Sequence, residues 1–174
     1  MTVILETDRL LLRAWTSDDA QTVFEICRDA GVMRHIGTGE PYRNLDDARR
    51  FLDWAATHQA AHGFCRWAVI EKASGNVIGS CGFARIESLE EIELGYLFDR
   101  RAWGHGFATE AARACLRYGF ESLKFPQVVA LTNPRNSASQ HVLEKIGFAS
   151  QGIKEVDGYE DIVYLAINPE QSGF

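Results

Sequence analysis

The spacing of apolar and polar residues changes period several times along the chain. Residues 9–15 (RLLLRAW) form an apolar run edged by charge, which predicts a strand. Ser17, Asp18 and Asp19 then supply an N-cap and first-turn acids for a helix on which Val23, Phe24, Ile26 and Cys27 recur at helical spacing. A second helix is predicted over 44–58, with Asp46 and Asp47 in its first turn and Phe51, Leu52 and Trp54 to bury. Two strand-like runs follow, 66–72 and 76–85, joined at Ser74-Gly75-Asn76 as a hairpin. Residues 91–99 alternate strictly, placing Glu91, Glu93 and Gly95 on one face and Ile92, Leu94 and Tyr96 on the other. Ala112, Cys115, Leu116 and Phe120 give a helical period over 109–123, and 127–131 (QVVAL) reads as a short buried strand. A last helix over 137–146 is closed by Gly147, and 153–167 holds two strands turning at Asp157-Gly158.

Hairpins early in the chain and one strand–helix–strand–helix unit later predict an α/β (α+β) fold. Its sheet is mixed, mostly antiparallel and twisted, of about seven strands with helices on both faces. No repeat, low-complexity tract or Pro/Gly-rich linker divides the 174 residues, so one domain is expected. A net charge of −6 argues against nucleic acid as the main partner and favours a cationic small molecule or peptide. No stretch is apolar enough to span a bilayer, and acids and arginines interrupt the N-terminal region, so a cytoplasmic protein with no membrane partner is expected. Cys27, Cys65, Cys81 and Cys115 have no CxxC spacing, which predicts buried reduced thiols and no metal site.

The segment 103–111 (WGHGFATEA) changes the picture. Glycine beside a helix costs roughly 1 kcal/mol relative to alanine, so Gly104 and Gly106 imply a need for bare main chain. A strand, a small-residue loop and then a helix present free N–H groups to an anion, with the helix dipole assisting, and a diphosphate is the natural guest. The P-loop pattern GxxxxGK(S/T) is missing its lysine, and only the first half of a dinucleotide GxGxxG is present. A second loop, 133–139 (NPRNSAS), follows the next strand and opens the next helix. The two loops are therefore expected side by side at the same end of adjacent strands.

Those segments, with Thr7-Asp8-Arg9-Leu10-Leu11-Leu12-Arg13 at the start and Asn136 through Phe148 near the end, resemble the GNAT superfamily of N-acetyltransferases, in its RimJ/RimL-like branch. The resemblance implies acetyl-CoA as donor and a primary amine as acceptor, either a small molecule or a protein N-terminus, with a homodimer as an assembly open to it. The family's acyl-CoA signature, Q/R-x-x-G-x-G/A, falls on Trp103, Gly104, His105, Gly106, Phe107 and Ala108. Trp103 departs from it and shifts diphosphate binding towards main-chain N–H groups. His105 through Thr109 are implied to line the diphosphate, and Leu97 and Phe98 to offer main-chain amides to the pantetheine arm as an added strand would. Asn136 and Ser139 are implied to face the cofactor from the next helix; a plain N-cap at Asn136 is compatible with that role.

An alkyl amine is mostly protonated near neutral pH, so a base helps it attack a thioester and an acid helps the thiolate leave. By resemblance Glu93 is the candidate base, with Glu91 on the same strand face as second choice. The tyrosine that many family members carry four residues before the Gly-Phe pair is replaced by Leu143. The acid is left open between water and Ser139. By resemblance, the loop 35–43 shapes the acceptor site, with Glu40 and Tyr42 available to a cationic amine. An enzyme acting by direct attack in a ternary complex is the first reading. The alternative is a non-catalytic acyl-CoA binder or sensor on the same scaffold.

Overall fold

The structure, a computed structural model, describes residues 2–173. Its strands are β1 (Val3–Glu6), β2 (Leu10–Arg13), β3 (Arg66–Glu71), β4 (Val77–Ile86), β5 (Glu91–Phe98), β6 (Val128–Thr132), β7 (Ala149–Val156) and β8 (Tyr159–Ile167). The helices are α1 (Ala20–Cys27), α2 (Ala30–Met33), α3 (Leu45–His62), α4 (Phe107–Glu121) and α5 (Ser137–Lys145). One eight-stranded sheet runs in the order β1-β2-β3-β4-β5-β6-β8-β7, antiparallel except where β5 meets β6. The extra strand relative to expectation is β1, a short edge strand paired only with β2.

Strand alternation sends side chains into two cores, one on each face of the sheet. Leu94 and Phe98 of β5 join Leu10, Leu12, Trp67, Phe83 and the buried stripe Ala111, Ala112, Cys115 and Leu116 of α4. Leu143 and Ile146 bring α5 into the same core. Leu97, pointing the other way, packs against Val23, Ile26, Cys27, Val32, Met33, Ala48 and Leu52 of α1, α2 and α3. Helices therefore cover both faces, as the periodicity predicts.

Local chemistry sets the helix starts. Thr16, rather than Ser17, caps the turn Ser17–Asp19 that leads into α1, and Asp19 folds back to accept from Thr16 N–H at 2.8 Å. Asp19 is also forked by Arg13 at 2.7 and 2.6 Å. Burial pushes its carboxyl up, but Arg13 and Thr16 more than offset this and hold it below the usual range. Asn44 and Asp47 form a capping box on α3. That helix runs on to His62 because Gly63, at φ 81°, is the residue that can leave it in the left-handed region.

The sheet's one parallel contact positions the site. β4 and β5 pair without interruption from Gly79↔Phe98 to Ile86↔Glu91, whereas β5 and β6 share only Glu93↔Val129. Beyond that point β6 stays with β8 through Thr132↔Val163, and β5 continues alone to Phe98. The sheet is thus open between two parallel strands at their C-terminal ends, where α4 and α5 begin.

Leu116 is fully buried between α4 and the sheet. Leu116→Ala is expected to cost about 2–5 kcal/mol and to lower Tm by roughly 5–15 °C in a thermal melt, by the usual cavity cost and chain-length scaling.

Candidate active site

The loop between β5 and α4 has the conformation its glycines imply. Gly104 and Gly106 both lie at φ 78°, a region costly for residues with a Cβ. Gly106 is the N-cap of α4, and no side chain caps the helix there. The first main-chain bond of the helix runs from Glu110 N–H to the Gly106 carbonyl at 3.1 Å. The N–H groups of Phe107, Ala108 and Thr109 precede that ladder and form the positive end of a four-turn helix. A Cβ on Gly104 would meet nothing within 4 Å, and one on Gly106 would meet only Arg9 Nη2 at 3.6 Å. The surface outside this loop is therefore free for a ligand to approach. Trp103, Gly104, His105 and Gly106 are exposed, Ala108 and Thr109 half-buried, and Phe107 is buried in the core.

Trp103 does not stand in for the side chain it replaces. Its indole N–H donates to the Phe98 carbonyl at 2.9 Å and fastens the loop to the end of β5. The loop is fastened a second time from the N-terminal hairpin. Glu110 of α4 accepts from Thr7 Oγ1 at 2.6 Å, from Arg9 N–H at 3.0 Å and from Arg9 Nε at 2.6 Å. Arg9 Nη1 donates to the His105 carbonyl at 2.9 Å, and its guanidinium lies 4.6 Å from the Phe107 ring centre. His105 stacks on Phe107 as well, so it serves here through its main chain.

On β5, Asp99 N–H donates to the Ile78 carbonyl at 2.8 Å. Alternation of the antiparallel ladder then points the main chain of Leu97 at β4 and that of Tyr96 and Phe98 into the opening. This corrects the expectation for Leu97: its amide is committed to the sheet, and its side chain lines a cavity instead. Phe98 keeps its outward N–H, while its side chain is buried in the core.

Across the opening, Asn136 is the N-cap of α5, its Oδ1 accepting from Ser139 N–H at 3.2 Å. Ser139 is half-buried, not solvent-facing. The Tyr96 hydroxyl lies 3.0 Å from Ser139 Oγ and 3.1 Å from its carbonyl oxygen. Burial pushes the Tyr96 phenol well up, so it stays protonated, although the Ser139 bond acts the other way. Leu143 is 1% exposed inside the core, so its position offers no hydroxyl to the opening.

Glu93 sits on the opposite face from α4, where β5 leaves β6. Arg66 reaches it from β3, with Nη2 at 2.5 Å from Oε2. The route is a trough of glycines: Arg66 pairs with Gly82, and Gly82 pairs with Gly95. A Cβ on Gly95 would collide with Arg66 Nε and lie 2.6 Å from Cζ. Arg66 Nε is itself buried without a hydrogen-bond partner. Glu91, the second-choice base, is farther down the strand and accepts from the Tyr164 hydroxyl and, at 3.4 Å, from Gln127. Of the acceptor-loop residues, Tyr42 is half-buried against the α1–α3 core, and burial pushes its phenol up to about 12. Glu40 is exposed and 4.0 Å from Arg43.

A cavity of about 110 Å³ lies on this face under α1 and α2, sharing Tyr96 and Leu97 with the open stretch of β5. Arg66, the Tyr96–Ser139 pair and the Arg9–Glu110 fastening escape a reading of the sequence because each joins residues far apart in the chain. Gly82 and Gly95, at facing positions of consecutive strands, were the available signal for the first.

A sheet opened between parallel strands, with an uncapped helix start at its mouth, is a cleft shaped for an extended polar ligand with an anionic end. The family model described as "Acetyltransferase (GNAT) domain" matches residues 9–149, and the chain belongs to that family and is an acyltransferase. Among curated relatives, "Uncharacterized protein YkkB" of Bacillus subtilis is 39% identical over 82% of this chain and 83% of its own. "Uncharacterized N-acetyltransferase YoaA" of the same organism is 31% identical over 97% of this chain and 98% of its own. Among solved structures, the ribosomal-protein alpha-N acetyltransferase RimL, in complex with coenzyme A, superposes with a TM-score of 0.81. That match covers 95% of this chain and 97% of the other at 16% identity, a likeness of fold.

Gly106→Asp places a carboxylate against the anion-facing loop. For a loop that holds CoA, the expected outcome is binding weakened at least a hundredfold by calorimetry while Tm falls only a few degrees, since the added Cβ meets only Arg9 Nη2 at 3.6 Å and costs about 1–2 kcal/mol of backbone strain. A second outcome concerns Glu110. Burial raises its carboxyl, but Thr7 and Arg9 more than offset this and hold it below 4.5. A depressed carboxyl stabilises the fold above its unfolded value and loses that contribution as pH falls through the folded one. The stability gap between the parent and Glu110→Gln, read by urea denaturation, should be full at pH 7 and close below about pH 4.5.

Proposed function

We propose that this chain is an acetyl-CoA-dependent N-acetyltransferase that passes the acetyl group to a primary amine by direct attack in a ternary complex. The observation that carries the reading is a conjunction: β5 has main-chain groups with no parallel neighbour, and its end leads directly into a helix start that no side chain caps. An anionic head held at the second places a polar arm along the first. Acetyl-CoA held in this way would supply an activated acetyl thioester, with CoA thiolate as the leaving group.

The residues fit that group. The N–H groups of residues 105–109 would hold the diphosphate, with Gly104 and Gly106 allowing close approach. Tyr96 and Phe98 would offer their outward main chain to the pantetheine amides. Asn136, whose Oδ1 is spent on the α5 cap, would face the cofactor only through its remaining amide hydrogens. Ser139 or water would hand a proton to the leaving thiolate; a role for Ser139 is supported by the protonated Tyr96 hydroxyl 3.0 Å from its Oγ.

Glu93 would take the proton from the attacking nitrogen, directly or through water. Because Arg66 holds the same carboxylate, Glu93 must act without giving up that partner or must exchange it during turnover. Direct attack is supported by the thiols. Burial pushes Cys27 and Cys65 up to about 12 and Cys115 well above its ordinary value, so none is poised as a thiolate for an acyl-enzyme. The Arg66–Glu93 pair and the apolar Leu143 favour the second reading, an acyl-CoA binder without turnover.

The two readings separate on Glu93→Gln. For the enzyme, CoA affinity stays within about threefold while kcat falls at least a hundredfold in a free-thiol assay. Equal turnover in the variant removes Glu93 from the mechanism.

A further inference from the structure

We propose that the acceptor is an α-amino group whose carbon carries a short aliphatic side chain, and that this side chain enters the cavity beneath α1 and α2. The inference rests on the N-acetyltransferase reading and names the class of amine it serves.

The cavity adjoins the place where transfer would occur, since Tyr96 and Leu97 belong both to its wall and to the open stretch of β5. Its remaining wall is mostly apolar: Val23 and Ile26 come from α1, Met33 from α2 and Phe51 from α3, with Tyr42 and Ser80 as its further hydroxyl-bearing residues. Among the described residues no carboxylate lines it, and Arg66 is its one charged side chain. An ammonium group drawn into such a space would lose its water and find no free counter-charge, since the neighbouring Glu93 is already paired with Arg66. A polyamine, whose second and third charges need acids along the groove, is poorly served. A hydrocarbon group is well served.

Size narrows the class. The volume is about 110 Å³. An engineered apolar cavity of about 150 Å³ accepts benzene, so a smaller one suits a valine- or leucine-sized group better than a phenyl ring.

The state of the base points the same way. Glu93 is already engaged by Arg66 at 2.5 Å, so an acceptor that needs little help losing its proton has the advantage. An α-amino group titrates near about 8, against about 10.4 for a lysine-like alkyl amine. Near neutral pH a substantial fraction of the former is neutral, and on the order of one in a thousand of the latter. Amino-acid derivatives and peptide N-termini share this chemistry.

The test uses the unmodified protein with acetyl-CoA and a thiol-release assay, comparing glycinamide, valinamide, leucinamide, spermidine and a short peptide beginning with leucine. Burying aliphatic carbons should raise kcat/KM about fourfold per carbon, so leucinamide, with four more carbons, should exceed glycinamide by roughly 250-fold and spermidine should fall below both. A peptide more than tenfold better than leucinamide assigns a chain N-terminus as the source; parity assigns a free derivative. Ile26→Phe, which fills the cavity, should bring the leucinamide-to-glycinamide ratio close to one. Met33→Ala, which widens it, should raise phenylalaninamide relative to leucinamide. Glycinamide or spermidine matching leucinamide, or an undiminished ratio in well-folded Ile26→Phe, overturns the inference and leaves acetyl transfer standing. No thiol release with any amine, from a protein that binds CoA, overturns both.

Discussion

The parting of β5 from β6 is the constraint from which the site follows, because a strand edge inside a sheet is normally consumed by its neighbours. Here each strand is held fully on its outer side, β5 by β4 and β6 by β8, and the two are paired with each other only at Glu93 and Val129. The sheet therefore opens without either strand losing its anchorage. Exposed main-chain donors and acceptors at such an opening are a ready template for a polar, extended ligand. The same geometry brings the starts of α4 and α5 together, since each follows one of the diverging strands. Tyr96 spans the gap to Ser139 on the side facing α4, which gives the opening a floor of defined chemistry.

On the other face, bareness again decides the outcome. Arg66 can lie flat across the sheet because the position its guanidinium crosses on β5 is Gly95. The guanidinium that results fixes Glu93 and closes one side of the cavity beneath α1 and α2. It holds the carboxylate in one place beside the open stretch of β5. An orphaned Nε–H in the same guanidinium costs about 1–3 kcal/mol, which the Glu93 contact and the packing on Trp54 must offset.

Much of this was legible in one sequence, and the limits have physical causes. Period changes locate β2 through β6 and the larger helices because each has one face in a core. β1 escapes because it is a four-residue edge strand with no fully buried position. α4 begins at Phe107, ahead of its clear periodicity, because that ring packs inward from the loop itself. The glycine loop was readable since positive φ restricts residue type. Leu97 was placed with the cofactor because proximity to the loop is visible in a sequence and the direction of a main-chain N–H is not; direction depends on the register with β4. Arg66 lies 27 positions from Glu93, and only the strand register aligns them.

The electrostatics of the mouth reconcile an acidic chain with an anionic ligand. The cations flanking the phosphate loop are individually matched: Arg9 with Glu110, Arg100 with Asp29 and Arg101 with Asp99. Such pairs contribute little net field beyond a Debye length of about 8–10 Å, and their partial exposure weakens them further. The uncompensated positive charge at the loop is then that of the main chain, the N–H groups opening α4, aligned by the helix and aimed outward by two glycines. These dipoles need no counter-ion, do not titrate and cannot reach away to another partner as a flexible side chain can. A net charge of −6 distributed over the rest of the surface acts at long range, whereas the field of a helix start acts within its first turn. Trp103 fits this division of labour: with its indole tied to Phe98, it holds the loop in place and leaves the binding to the backbone.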